Sequence, residues 1–242
     1  MNKAEYKNMF DNEETHFFYV ANHKIFLHLL SKRIPRDKNL KILDAGCGTG
    51  LFAHYLQEFG NVKGVDYHED AVRLSKKRGV SAVRSDIRHI PFKDNTFDVV
   101  TCIDVIVHQK IKSDVAIVRE LRRVLKPGGI LLLRVAAVPW LMSQHDRYVM
   151  TRERYSKNHL KNTIEKAGLT IEKLSYMNFL LFFPAALNKL FERASGKHES
   201  SIIANTPKWI NNAAMNTLAS ERFILDAINL PIGNGLVVIA KK

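Results

Sequence analysis

Gly46, Gly48 and Gly50 stand at alternate positions between Ile42-Leu43-Asp44-Ala45 and Leu51-Phe52-Ala53-His54-Tyr55-Leu56. The order is strand, tight turn, helix start. Glycine is required in such a turn where φ is positive, and where a ligand must approach the main chain more closely than a Cβ allows. A small ligand at the end of a strand is therefore the first expectation. Cys47 lies inside the turn and Cys102 inside an apolar run, and these two are the chain's cysteines. Neither has a metal-ligand spacing, so both read as reduced packing residues; a reactive thiol at a helix start is the alternative for Cys47.

The elements that must hold this turn alternate in type. Strands are predicted at Leu40 to Ala45, Val62 to Val65, Ala82 to Arg84, Phe97 to Ile103 and Ile130 to Ala136. Helices are predicted between them at about Gly50 to Phe59, Glu69 to Arg78 and Lys112 to Leu125. The last of these is stopped by Lys126-Pro127-Gly128-Gly129. A helix from Ser156 to Ala167, with Ser156 as N-cap, leads through Gly168 to a strand from Leu169 to Tyr176. A helical segment from about Pro207 to Ala219 follows, and Leu236 to Lys242 reads as a closing strand. Alternation of this kind gives a doubly wound parallel sheet. His16 to Leu30, with Ile25, Phe26, Leu29 and Leu30 at helical spacing, reads as an N-terminal helix, either packed on the sheet edge or closing as a lid.

The glycine turn resembles the first motif of the class I S-adenosylmethionine-dependent methyltransferases, and the family's other motifs follow in order. Ser85-Asp86-Ile87 stands after the third strand. Ile90-Pro91-Phe92-Lys93-Asp94-Asn95-Thr96-Phe97-Asp98-Val99-Val100 is similar to the family's loop and fourth strand, and Glu120 to Gly129 to its segment entering strand five. The resemblance covers about residues 40 to 136. It implies a Rossmann-like α/β fold, doubly wound, with a seven-stranded sheet that is mostly parallel and has an antiparallel last strand. It divides one domain, 1–242, into an N-terminal helical cap (1–39), a cofactor-binding core (40–136), a substrate cap (137–235) and the last strand (236–242).

The resemblance also implies the cofactor, S-adenosyl-L-methionine, and its contacts. Main chain at Gly46, Gly48 and Gly50 would touch the methionine part, and Asp44 would help hold its ammonium side. Asp66 would accept from both ribose hydroxyls, since a carboxylate offers two acceptor oxygens in fixed geometry. Asp86 would accept from the adenine amino group, the Ile87 N–H would serve a ring nitrogen, and Ile103 would end the strand beneath the sulfonium. Tyr67 either packs on the adenine edge or is a plain surface tyrosine. A nicotinamide dinucleotide site would need Gly-x-Gly-x-x-Gly, and the third residue after Gly48 is Leu51.

Methyl transfer from a sulfonium is an in-line displacement with an excellent leaving group, so alignment and exclusion of water dominate. A hydroxyl acceptor would call for a general base. His108, at the mouth of strand four, and His145, followed by Asp146 in the loop after strand five, are the candidates; the alternative for each is a loop histidine. His145-Asp146-Arg147-Tyr148 through Arg154-Tyr155-Ser156 resembles a bacterial and archaeal type-11 subgroup associated with cell-surface glycan or lipid-linked biosynthesis. That suggests a small-molecule, glycan or lipid-linked acceptor, methylated on a hydroxyl oxygen. Phe179 to Phe183 with Ala185, Ala186, Leu187, Leu190 and Phe191 form an apolar stretch flanked by Lys189, Arg193 and Lys197. It would serve as a membrane-interface helix or acyl tunnel, or as an ordinary cap or dimer contact.

The net charge of +13 favours anionic partners. Most of it falls in residues 73–93 and 110–134, which read as solvated helix faces without the aromatic interleaving of single-strand nucleic-acid binders. Nucleic acid is thus a secondary expectation, with an RNA methyltransferase or a non-catalytic cofactor-binding partner subunit as the alternative functions. The N-terminus has no apolar core of a secretion signal and no stretch is apolar for the roughly 18 residues a span requires, which points to a cytoplasmic protein with membrane-peripheral contact as an option.

Overall fold

Strand β1 (Leu40–Ala45) is buried at every position but Lys41, the pattern of a parallel strand covered on both faces. In the computed structural model, which describes residues 3–35, 39–184, 186–187 and 207–242, β1 lies at the middle of a seven-stranded sheet. The other strands are β2 (Gly60–Asp66), β3 (Ser81–Arg84), β4 (Phe97–Ile103), β5 (Leu125–Ala136), β6 (Thr170–Met177) and β7 (Gly235–Lys241). Their order is β3-β2-β1-β4-β5-β7-β6. β7 runs antiparallel to both neighbours, β5 and β6, whereas the pairs among β1 to β5 are parallel. The Rossmann-like architecture is as the sequence predicts.

Strand order reverses between β1 and β4, and a ligand of an open α/β sheet binds outside the carboxyl ends of its strands at such a point. Helices cover both faces: α3 (Leu51–Leu56), α4 (Glu69–Lys77), α5 (Asp114–Val124) and α7 (Lys157–Lys166) connect strands. The two faces carry separate cores, one centred on Leu43, Val100, Leu131 and Tyr155 and the other on Ile42, Phe26, Leu132 and Ile239. Ser113 and Ser156 cap α5 and α7 by accepting from Ala116 N and His159 N, each cap contributing about 1 kcal/mol.

Two further layers close the sheet's upper end. Helices α1 (Lys3–Asn12) and α2 (Phe17–Ser31) form the N-terminal segment. α2 packs along α8 (Lys208–Ala227), which is longer than the segment predicted from sequence. Asn211 joins them by accepting from Phe17 N and donating to Thr15 O, both at 2.9 Å, and His28 meets Asp226 at 2.7 Å. A short helix α6 (Gln144–Tyr148) flanks the opening.

Within 137–235, then, α7 and β6 belong to the sheet layers, and the part free to act as a cap narrows to α6 with its flanking loops and α8. In the apolar stretch Phe182 is buried and Phe179 packs on the core, while Phe183 and Leu187 are exposed. Ala185, Lys189, Leu190, Phe191, Arg193 and Lys197 lie outside the described residues. Among the described residues no helix is long and apolar enough to cross a membrane.

Candidate active site

A cavity of about 410 Å³ opens at the β1/β4 reversal, roofed by α1, α2 and α6, a size within the range of small-ligand sites. Asp44, Gly46, Gly48, Asp66, Tyr67, Asp86, Ile87, Ile103 and His108, singled out from sequence, all line it. Gly50 does not.

The glycines of the turn have different reasons to be glycine. All three take positive φ, between +53° and +85°. A Cβ on Gly46 would come within 2.2 Å of Val105 Cγ2, and one on Gly50 within 2.7 Å of Ser75 Cα. At these two positions a Cβ has no room inside the protein, and of the two only Gly46 lines the cavity. At Gly48 a Cβ would make only an ordinary contact, with Met9 Cε at 3.5 Å, while its main chain donates to Asp66 Oδ2 and accepts from Ser75 Oγ, both at 3.0 Å. Gly46 N and Cys47 N both donate to Val65 O, tying the turn to the end of β2. Cys47 and Cys102 are buried, burial pushing both thiols up, so the reactive-thiol alternative does not apply to Cys47.

Asp66 ends β2 and faces the turn. Its Oδ2 accepts from Gly48 N at 3.0 Å and its Oδ1 from His68 N at 2.9 Å, leaving a further lone pair on each oxygen for ligand hydroxyls. Burial pushes its carboxyl up, and the two N–H donors oppose that shift. Asp86 is wrapped by Arg88, whose Nε lies 3.0 Å from both oxygens and whose backbone N donates to Oδ1 at 2.9 Å. The Arg88 side chain holds this carboxyl below its usual range. Tyr67 is half exposed, with Lys110 Nζ 4.6 Å from its ring centroid.

Asp44 is buried under the turn and accepts from Thr101 Oγ1 at 2.6 Å. Burial pushes its carboxyl up to about 7, the Thr101 hydroxyl opposes this, and the Asp66 charge adds to it. A cation arriving above it would draw it to the ionised form.

The candidate bases behave differently. His108 Nδ1 accepts from Lys110 N at 3.2 Å, and burial lowers its pKa to about 4. A neutral imidazole accepting at Nδ1 carries its proton at Nε2, so His108 presents a donor at its free end. His145 lies in α6, and its side chain is outside the described residues. Its neighbour Asp146 is engaged elsewhere: Arg154 Nε stands 3.1 Å from both carboxylate oxygens, and Ser143 donates from N and Oγ at 2.7 and 2.8 Å.

Four functional features escape sequence reading. Arg134, on β5, is buried and paired with Asp104 at the end of β4. Asn22, on α2, is buried with its Oδ1 unpartnered. His23 stacks on Phe52 with ring centroids 5.2 Å apart, and burial lowers its pKa to about 3. Glu13 accepts from Thr49 Oγ1 and Arg78 Nη1, pinning the N-terminal segment to the glycine turn. One signal was available: Arg134 interrupts the buried apolar strand Ile130-Leu131-Leu132-Leu133, and Asn22 the apolar face of α2.

A family model described as a methyltransferase domain matches residues 43–133, the segment that carries the turn, Asp66, Asp86 and β4. Residues 43–133 thus resemble a methyltransferase domain. The chain is 32% identical to probable tRNA methyltransferase 9B of Homo sapiens over an alignment of 147 positions that covers 57% of this chain and 31% of that protein. Demethylmenaquinone methyltransferase of Staphylococcus aureus is 28% identical over 155 residues, 58% of this chain and 64% of that protein. The chain thus spans about a third of the length of the first of these relatives. A SAM-dependent methyltransferase of Thermotoga maritima shares the fold over 99% of this chain and 95% of its own, with a TM-score of 0.60 and 19% identity. The matched segment therefore sits in a chain that shares a known fold over nearly its whole length.

Proposed function

We propose that the chain is an S-adenosylmethionine-dependent methyltransferase acting on a hydroxyl of a small-molecule, glycan or lipid-linked acceptor. The observation that carries the cofactor is the convergence of Gly48 main chain, Asp66 and Asp86 on one cavity at the β1/β4 reversal. The residues present fit this cofactor. Gly48 lines the cavity without a Cβ, Asp66 keeps acceptor capacity for a ribose, and Asp86 with the Ile87 N–H would meet adenine at the cavity's other end. Asp44 and the Gly46 main chain would support the methionine part, Tyr67 the adenine edge, and Ile103 the sulfonium end.

When bound, the cofactor supplies a methyl group on a cationic sulfur. The chain's own work is to align an acceptor oxygen with it and to keep water out, which the α1–α2 roof does by covering the turn. His108 would orient the acceptor by donating from Nε2. His145 is the candidate to take the acceptor's proton, from its position on α6 beside the cavity-lining Asp146. Demethylmenaquinone methyltransferase among the relatives supports an apolar small-molecule acceptor.

A second reading has one specific observation in its favour. The relative named for tRNA is 32% identical across the matched segment, and the net charge of +13 suits an RNA backbone. A partner subunit that binds cofactor without turnover is the third.

Calorimetry with S-adenosylmethionine on the wild type and an Asp66→Ala variant tests the cofactor; unchanged affinity in the variant sinks the ribose assignment. Incubation with radiolabelled cofactor and separate lipid, glycan and RNA extracts tests the acceptor. Label in lipid or glycan is expected, label confined to RNA selects the second reading, and binding with no label anywhere selects the third.

A further inference from the structure

One seam of the cavity wall carries donors that the cofactor contacts above leave unused. The loop after β4 holds His108 and Lys110 and is tied to the rim segment that follows α6. His108 bridges Thr151, Gln109 N donates to Met150 O at 2.9 Å, and Arg152 N donates to Val107 O at 2.7 Å. Against this loop lies the turn after β2, with Lys110 Nζ 4.6 Å from the Tyr67 ring centroid. Tyr67, His68, His108 and Lys110 all line the cavity.

The seam is rich in donors and has no free acceptor. Lys110 is exposed and has no counter-ion among the described residues; the face of Tyr67 holds its ammonium in place. His108 is half-buried, and because its Nδ1 accepts from Lys110 N, its proton stands on Nε2. The His68 ring contacts Tyr6 and Tyr67, with centroids 5.4 and 5.6 Å away, and its nitrogens make no hydrogen bond among the described residues. Burial disfavours the charged form of His108, and the charges of Lys110 and His68 add to that effect, so the three groups stand within electrostatic reach of one another. The adjoining carboxylates are engaged elsewhere. Arg88 holds Asp86 from Nε and Nη2, and Asp66 accepts from Gly48 N and His68 N.

An ammonium and two imidazoles that lack a counter-ion are complementary to an anion. S-adenosylmethionine brings one anionic group, the carboxylate of its methionine tail, and that tail belongs with Asp44 and the Gly46 main chain. A further carboxylate would be matched best by a guanidinium fork, and Arg88, the guanidinium of the neighbouring turn, is committed to Asp86. A phosphoryl group fits the donors present, since it offers three oxygens to three donors and suits the compact charge of a lysine.

We propose that Lys110, His108 and His68 form a subsite for a phosphoryl group carried by the methyl acceptor. Its assignment to the acceptor rests on the S-adenosylmethionine reading. A free phosphate ion carries the same chemistry, and the probes separate the two sources.

Glycerol 3-phosphate, glycerol and inorganic phosphate are titrated at constant ionic strength into the protein alone and into protein saturated with S-adenosylhomocysteine. The readout is the Hε1 proton resonance of His108, assigned by its loss in His108→Asn. Glycerol 3-phosphate should shift this resonance saturably in both forms, and glycerol should not. Lys110→Gln, a change at an exposed position, should weaken that binding at least about tenfold, while affinity for S-adenosylhomocysteine by calorimetry stays within about twofold. No saturable shift, or a Lys110→Gln titration equal to that of the wild type, overturns the subsite and leaves the cofactor reading intact. Displacement of S-adenosylhomocysteine by glycerol 3-phosphate overturns it as well, because the phosphate then occupies the cofactor's own room. Inorganic phosphate binding more tightly than the ester gives the subsite to the free ion and overturns its assignment to the acceptor. A wild type that binds glycerol 3-phosphate but not S-adenosylhomocysteine overturns the cofactor reading, and the acceptor assignment with it.

Discussion

Arg154 Nε stands 3.1 Å from each carboxylate oxygen of Asp146, and both side chains are buried. Arg154 Nη1 also donates to Ala137 O and Asn234 Oδ1, so one guanidinium ties α6 to the end of β5 and the entry to β7. Asp146 follows the candidate base His145 in sequence, and through Arg154 it fastens the cavity's rim. Removing one member of such a pair leaves a buried charge without its counter-ion. Asp146→Asn should destabilise the protein by about 3 to 5 kcal/mol, read as a lower urea midpoint at unchanged slope. A loss below about 1 kcal/mol means that the pair is not buried in solution.

Asp44 should impose a pH dependence on both stability and cofactor affinity. Its carboxyl is pushed up to about 7 in the fold and titrates near 4 when unfolded. The folded state therefore binds the extra proton between these values, and its stabilising contribution is lost as pH rises through about 7. The slope is at most about 1.4 kcal/mol per pH unit. Cofactor affinity runs the other way, since a cationic sulfonium favours ionised Asp44. Affinity should rise by up to about tenfold per unit below pH 7 and level off above it. Asp44→Asn should flatten both curves. The same slope in the variant assigns the effect to another group.

The turn glycines should separate folding from binding. Gly46→Ala combines a clash 2.2 Å from Val105 Cγ2 with a φ of +85° and should cost about 3 kcal/mol. Gly48→Ala meets ordinary contact at Met9 Cε and should cost about 1 kcal/mol for its φ alone. Its Cβ would stand in the space above the turn, so cofactor affinity should drop at least about tenfold in a protein that still folds. Calorimetry and thermal melts on the two variants decide between them.

Arg78 is the fastener of the N-terminal segment: it reaches Glu13, Glu14, Phe10 O and Thr49 O. Arg78→Met should leave the sheet intact and release this segment, a local opening of the kind hydrogen exchange detects. Limited chymotrypsin digestion should cut after Phe10 several-fold faster than in the wild type. An unchanged rate means that α1 is held by its apolar contacts alone.

The cavity lining around the glycine turn was legible because its determinants are local. A glycine turn and a carboxylate at a strand end are fixed by short-range geometry, so Gly48, Asp66 and Asp86 could be placed from spacing. Spacing says that Gly50 must be glycine without saying which neighbour demands it; here the neighbour is Ser75, 25 residues away on α4. The limits of β1 and β4 followed from apolar runs, whereas β5 starts at Leu125, ahead of its predicted start at Ile130, and α8 extends beyond its predicted end at Ala219 to Ala227, packed along α2. Arg134 with Asp104, Arg154 with Asp146 and Glu13 with Arg78 were not legible. Each pair joins elements that only the folded topology brings together, and no periodicity records a partner.

The position of β7 between β5 and β6 constrains how the molecule comes into being. Until residues 235–241 are inserted, β5 and β6 each present an unpaired ladder, and Arg154 lacks its Asn234 partner. A nascent chain on the ribosome would thus carry two sticky edges beside a half-built rim. Pairing of β5 with β6 through β7, and completion of the rim at Arg154, would then arrive together in one step.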